Sequence, residues 1–273
     1  MDPRSSTPPL ERPHAGLLVE TARTVSYSPA RGDLVAKFHD ALTPRASESE
    51  IAWYRRRLPG DAGTLLTAMC GSGRLLLPLL QAGLSVHGVD ASEAMLASCA
   101  ERCRIAGFDP QLFRQDVAKL NLPFRYCAAF VGAGSFQLLA RPAARDALAS
   151  LRAHLIEPSV LLLDLFVPDA ALHPPGAPVV EVGHATLADS SLVVRRSETQ
   201  ADPKRRRLLT SSRYEHRVAG RIVAREDEEQ ALTWYSEEEI AAMLGDEGYR
   251  NVRIETAEWP GPPGQHFAVS ARG

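Results

Sequence analysis

Two glycines one residue apart, Gly71 and Gly73, follow a short apolar run over Thr64–Met69, and an acid, Asp90, closes the next apolar run, Leu84–Val89. Between them Leu75, Leu76, Leu79 and Leu80 fall at helical spacing until Gly83. A strand, glycine turn, helix, strand and acid in this order suit a nucleoside ligand. The glycines let backbone N–H groups and the helix N-terminus approach it, while a carboxylate at the strand tip accepts both hydroxyls of a ribose. A dinucleotide site wants a third glycine where this chain has Leu76, which weakens a nicotinamide oxidoreductase reading. Metal chemistry is not expected. Cys70, Cys99, Cys103 and Cys127 form no C-x-x-C pair, Cys99 and Cys103 share a helix face without further ligands, and His39, His87, His154, His216 and His266 show no metal spacing.

The elements that must position these residues can be read in order. Ser47 and Glu50 have capping-box spacing ahead of a short helix carrying Ile51, Tyr54 and Leu58, which Pro59-Gly60 ends. After Asp90, Ser92 opens a helix whose expected buried stripe is Met95, Cys99, Cys103 and Ala106. Short strands near Gln111–Arg114 and Ala128–Val131 follow, then a helix from Pro142 to Leu155 and a strand over Val160–Phe166 buried on both faces. This βαβα rhythm predicts an α/β fold, a parallel sheet covered by helices on both sides. From Pro174 the rhythm changes to long polar-alternating segments, Val179–Leu187, Leu192–Thr199, Arg207–Val218 and Arg221–Thr233, which predict an antiparallel sheet with Ala219-Gly220 as a hairpin tip. Lys204–Arg207 is expected to face Glu226–Glu229 across that sheet. Ser236 and Glu239 form a second capping box, followed by a helix with Ile240, Met243 and Leu244 and closing strands at Val252–Ile254 and Phe267–Val269.

Composition bounds the class. The chain has 273 residues, 45% apolar and 23% charged, with 31 basic against 33 acidic side chains and a formal net charge of -2, so no whole-chain field recruits nucleic acid or a membrane surface. No run of about 18 apolar residues is present, and the start MDPRSSTPPLERPH lacks the apolar stretch of a signal peptide. A cytoplasmic protein with reduced thiols is expected. The first 15 or so residues, rich in Pro, Ser and charge, are expected to be disordered within an N-terminal arm over 1–46.

Cys70-Gly71-Ser72-Gly73-Arg74, with Val89-Asp90-Ala91-Ser92 and Met95-Leu96, resembles the class I S-adenosylmethionine-dependent methyltransferases of small-molecule type. Gln115-Asp116-Val117, Ser135-Phe136-Gln137-Leu138-Leu139 and Trp234-Tyr235-Ser236 extend the resemblance, which covers about Ser47 to Asp169 and again Leu232 to Arg272. It implies a Rossmann-like, doubly wound, mostly parallel seven-stranded sheet as a cofactor-binding domain (47–173 and 234–273), with the antiparallel insert (174–233) as a lid. It implies S-adenosyl-L-methionine as cofactor, with Cys70, Gly71, Ser72 and Gly73 along its methionine part and Asp90 on its ribose. Ala91 and Met95 would flank the adenine, Asp116 and the Val117 backbone would hold its amine, and Ser135 and Phe136 would lie beside the sulfonium, Phe136 toward substrate. Met95 and Phe136 are equally consistent with core packing. The sequence departs from the family where an acid usually ends the first strand, here Thr67, and where its first glycine usually stands, here Met69; the resemblance implies that this acid helps hold the cofactor's positively charged amino group, for which Thr67 offers no charge.

The chemistry implied is N- or O-methylation of a small molecule, in biosynthesis and, from the Ala/Arg-rich composition, in a bacterium. Such transfer needs positioning more than a fixed catalytic group. His184 and Tyr235 are the polar candidates for a base, against a solvated sheet histidine and an amphipathic packing residue. Two alternatives share the cofactor. One is a cyclase in which the cofactor's own amine closes an azetidine ring and releases methylthioadenosine, motivated by the uncharged Thr67. The other is a non-catalytic binding partner. A monomer or homodimer acting on a small molecule, with no nucleic acid or membrane, completes the expectation.

Overall fold

In the computed structural model, which describes residues 32–60, 63–169, 176–256 and 266–273, the glycine bend sits at the carboxyl edge of a seven-stranded sheet. Strands β1 (Leu65–Ala68), β2 (Val86–Asp90), β3 (Leu112–Arg114), β4 (Tyr126–Val131) and β5 (Leu155–Phe166) pair in parallel in the order β5-β4-β1-β2-β3. Two later strands, β10 (Arg250–Glu255) and β11 (His266–Arg272), extend it, with β11 antiparallel to both β5 and β10.

Every residue of β1 and β4 is buried, because helices cover both faces. Alternation along β1 divides the core. Leu66 and Ala68 pack with Val131, Leu148, Leu151, Ile240 and Leu244 beneath α5 (Arg141–Ala153) and α6 (Glu237–Asp246). Leu65 turns the other way, to Trp53 and Tyr54 of α2 (Glu48–Arg57), Leu76 and Leu79 of α3 (Leu76–Gln81) and Cys99 and Cys103 of α4 (Glu93–Ile105). Three helix starts follow from capping hydroxyls. Ser47, Ser92 and Ser236 accept from the backbone N–H groups of Glu50, Met95 and Glu239. The stripe of α4 ends sooner than its spacing suggests: Met95, Cys99 and Cys103 are buried, but Ala106 is the exposed C-cap.

A second sheet is antiparallel in the order β6 (Val179–Thr186), β7 (Leu192–Asp202), β8 (Arg207–Val218) and β9 (Arg221–Thr233). Ala219 and Gly220 turn its last hairpin with φ of 48° and 79°, both left-handed, so an alanine occupies a position suited to glycine or asparagine. The charge pairing expected across this sheet is not formed. Lys204, Arg205 and Arg206 lie in the β7–β8 turn, and Arg207 registers with Thr233. Arg205 and Arg207 pair with Asp202, and Arg206 with Glu239. On the acidic side Asp227 takes Arg213. Glu226 takes the Gly32 and Leu34 N–H groups at 2.8 and 2.9 Å.

That last contact shows how the described residues ahead of Thr43 are held. Residues Asp33–Leu42 form a helix, α1, whose Gly32 N-cap has no side chain to offer, and a carboxylate from β9 supplies the missing acceptor. Leu34, Val35 and Phe38 bury themselves against Met95, Ala185, Val193 and Tyr214, joining the second sheet to α4. The disorder expected for the first residues lies outside the described part of the chain. No helix among the described residues is long and apolar enough to cross a membrane.

Candidate active site

The cleft lies where β1 and β4 end, the edge at which open α/β sheets bind ligands. Its concavity, counted together with the solvent at its open mouth, spans about 950 Å³. Thr67, Met69, Cys70, Gly71, Ser72, Arg74 and Leu75 form one side. The loop Gly132–Ser135, with Met95 and Leu138, also lines the cleft, as do His39 of α1, Thr43 at the C-cap of that helix, and Gln230 and Leu232 of β9.

The glycine bend is fastened from three directions. Cys70 N–H donates to the Val89 carbonyl, Gly73 N–H to the Cys70 carbonyl at 3.1 Å, and Arg102 of α4 donates to the Ser72 carbonyl at 2.7 Å. Gly71 has φ of 54°, and nothing lies within 4 Å of where a side chain would start, so any substituent there would stand in the cleft. Gly73 is glycine for another reason. Its missing Cβ would come within 2.7 Å of Cys99 Sγ, so this residue serves the packing of the bend on α4. Met69 sits at φ of 54° without being glycine, a strain of about 1–2 kcal/mol.

Asp90 is 8% exposed and turns both oxygens to this region, accepting from Gly71 N–H at 2.8 Å and Ser92 N–H at 2.9 Å. A carboxylate oxygen has lone pairs beyond one N–H bond, so the arrangement leaves acceptor capacity for hydroxyls. Asp116 is exposed beyond β3, its side chain accepting from Ala118 N–H, with Val117 buried behind it. Of the sequence-derived residues, Cys70, Gly71, Ser72, Met95 and Ser135 line the cleft, while Gly73, Asp90, Ala91, Asp116 and Val117 are not part of its lining.

Three expectations are corrected. Phe136 is fully buried and packs on Tyr235 at 5.9 Å between ring centroids, so it is core and does not face a substrate. Tyr235 is equally enclosed, its hydroxyl donating to the Leu139 carbonyl and Arg141 lying over its ring. Burial pushes that phenol above its ordinary range, which leaves it protonated and unsuited to act as a base. His184 is exposed on β6, an edge strand of the second sheet, away from the cleft. Gln137, between these residues, is a fastener: its amide pairs with both the N–H and carbonyl of Phe166 at 2.8 Å and reaches the Thr233 carbonyl.

The structure also brings in residues the sequence reading passed over. His39 appeared there only among histidines without metal spacing, yet it is half-buried in the cleft wall. Arg74 lines the cleft and is held by Glu50 through two hydrogen bonds, at 2.8 and 2.5 Å. Asp164 of β5 is 3% exposed and accepts from Tyr54 Oη at 3.3 Å and Gly134 N–H at 3.4 Å. Desolvation by burial pushes its carboxyl up to about 7, Glu50 adding to the shift, while Arg74 and the Gly134 and Ala133 N–H groups oppose it. The one signal in sequence was a single acid inside Val160–Phe166.

Residues 65–157 match the family described as a methyltransferase domain. No curated protein matches the sequence. Among solved structures, an S-adenosylmethionine-dependent methyltransferase from Clostridium acetobutylicum superposes with a TM-score of 0.69 at 18% identity, covering 86% of this chain and 95% of its own. A sugar N-methyltransferase from a Streptoalloteichus species gives 0.68 at 22% identity, with 94% and 99% covered. The CcbJ methyltransferase from Streptomyces caelestis gives 0.63 at 20%, with 87% and 97% covered. At these identities the likeness is one of fold.

Proposed function

We propose, for a chain that carries a methyltransferase domain over residues 65–157 on the fold of the S-adenosylmethionine-dependent methyltransferases, that it methylates a nitrogen of a small amine, amino sugars being the first class to test. The observation that carries this reading is the shared lining of the cleft. The glycine bend at the strand ends and side chains from α1 and β9 line one and the same cleft, which gives cofactor and acceptor a shared site. The residues present fit such a cofactor: the open face of Gly71 is a cradle that a side chain would fill, and Asp90 stands beside it as acceptor.

When bound, S-adenosylmethionine supplies an electrophilic methyl carbon on its sulfonium. In this reading Cys70, Gly71, Ser72 and Gly73 carry its methionine part and Asp90 its ribose. Ala91 and Met95 flank the adenine, Asp116 and Val117 hold its amine, and Ser135 borders the sulfonium. The second sheet acts as a lid, Gln230 and Leu232 orienting the acceptor and excluding water. His39 takes the proton of an acceptor that arrives as an ammonium. The protein works in a bacterial cytoplasm, as a monomer or homodimer, without nucleic acid or membrane. That the matching proteins are methyltransferases supports transfer over the cyclisation alternative, which is not favoured.

The test is incubation with S-adenosylmethionine and a panel of amino sugars and other small amines, read by mass spectrometry. S-adenosylhomocysteine and a methylated amine, formed only with acceptor present, are expected. Methylthioadenosine released without acceptor would refute transfer. Cofactor binding without any turnover would favour the partner-protein reading. Asp90→Ala should weaken cofactor binding by about ten- to hundredfold, the loss of a charged acceptor to hydroxyls.

A further inference from the structure

We infer that Asp164 is the carboxylate that holds the ammonium of the cofactor's methionine part, reached from the cleft past the side-chain-free Gly132, in place of the acid absent at Thr67. The inference rests on the cofactor reading above. Its first support is register. Thr67 pairs with Phe130, and Val131 with Leu163, so Gly132 and Asp164 come one step further along the same edge. Side chains alternate along a strand, and Leu65, Phe130, Leu162 and Ala268 all point into the layer beneath α2 and α3. Thr67 lies two residues from Leu65, and Asp164 two from Leu162 and directly opposite Ala268. Both therefore face the same side of the sheet, and the charge lost from β1 reappears two strands away.

The second support is access. Gly132 lines the cleft with Thr67 and Arg74. A Cβ on it would stand 3.3 Å from Tyr54 Oη and 3.9 Å from Asp164 Oδ1, so the missing side chain leaves this hydrogen-bonded pair next to the cleft. The third is charge. Arg74 and Glu50 neutralise one another, and an ionised Asp164 leaves the group one negative charge in excess, which an ammonium balances. A guanidinium has five N–H donors, more than one carboxylate uses, so Arg74 can also take the carboxylate of an amino-acid head. The end of the cleft is thus matched to a zwitterion. A carboxylate beside an amine also keeps it protonated and non-nucleophilic, which opposes cyclisation.

Binding should move a proton. Groups facing Asp164 are Glu50 and Tyr54 from α2, Arg74 ahead of α3, and the Ala133 and Gly134 N–H groups after β4, and His266 on β11 interacts with Glu50. Burial holds the carboxyl at about 7, so at neutral pH it is partly protonated until a cation arrives, and the proton then leaves to buffer.

The full chain is titrated calorimetrically near pH 7, in two buffers of different ionisation enthalpy, with S-adenosylhomocysteine and with its deaminated analogue. The parent protein should release about half a proton with the first and none with the second. Asp164→Asn should weaken S-adenosylhomocysteine ten- to hundredfold, abolish the release and leave the analogue unchanged, and Thr67→Asp added to it should restore part of the affinity. Equal binding of S-adenosylhomocysteine by parent and variant, equal losses for both ligands, or equal proton release for both by the parent overturns the inference. The last comparison needs no variant to fold. Failure of the parent to bind either nucleoside would instead overturn the cofactor reading.

Discussion

Replacing Asp164 by Asn should change how stability depends on pH, by an amount the structure sets. The carboxyl is 3% exposed and is pushed up from the 3.8 of a free aspartate to about 7, chiefly by desolvation. The sign follows from proton counting. Between about 4 and 7 the folded protein retains a proton that the unfolded chain has lost, so stability falls as pH rises, by about 1.4 kcal/mol per pH unit. Below this window the burial has no electrostatic cost; above it the full cost, about 4 kcal/mol, is present. That is comparable to a large share of a domain's net stability. Asn is nearly isosteric, and its amide oxygen can still accept from Tyr54 Oη and Gly134 N–H. Urea denaturation of both proteins without ligand, from pH 4.5 to 8.5, cancels the other titrating groups in the difference. The variant should gain on the parent steadily up to about pH 7 and then hold a constant lead. Parallel curves would refute the reasoning, because they would mean that this carboxyl titrates like a solvated one.

Tyr235→Phe should retain the parent's kcat and KM, with a stability loss of about 1 kcal/mol for its single hydrogen bond, measured by denaturation. Loss of turnover with intact folding would restore the hydroxyl as a catalytic group. His184→Ala should change neither activity nor melting temperature by more than the scatter of exposed substitutions. Glu226→Ala removes the acceptor for two N–H groups at the start of α1 and should cost about 1–2 kcal/mol. Hydrogen exchange should show α1 opening faster while β1 and β4 stay protected.

The alternation of strand and helix was legible because each element announces itself locally. Fully apolar strands, leucines at helical spacing and the capping serines Ser47, Ser92 and Ser236 need only their near neighbours to be understood. So did the glycine bend with its acid, since Gly71, Gly73 and Asp90 belong to one β–α–β unit whose geometry the chain fixes by itself. The run Lys204–Arg207 misled because pairing across a sheet depends on register, and a turn of four residues carries the cluster past the acids it was expected to meet.

Sequence alone determined the layered sheet, the change to antiparallel strands after Pro174, and the place of the glycine bend, all through short-range periodicity and turn chemistry. Only the tertiary structure decided which polar groups share the cleft. His39, Arg74 and Gln230 come from separate elements, and Asp164 lies 97 residues from Thr67 yet faces the same side of the sheet. It also decided that Phe136 and Tyr235 belong to the core. Burial and electrostatic neighbourhood are properties of surfaces brought together by folding, and no local pattern of residue types contains them.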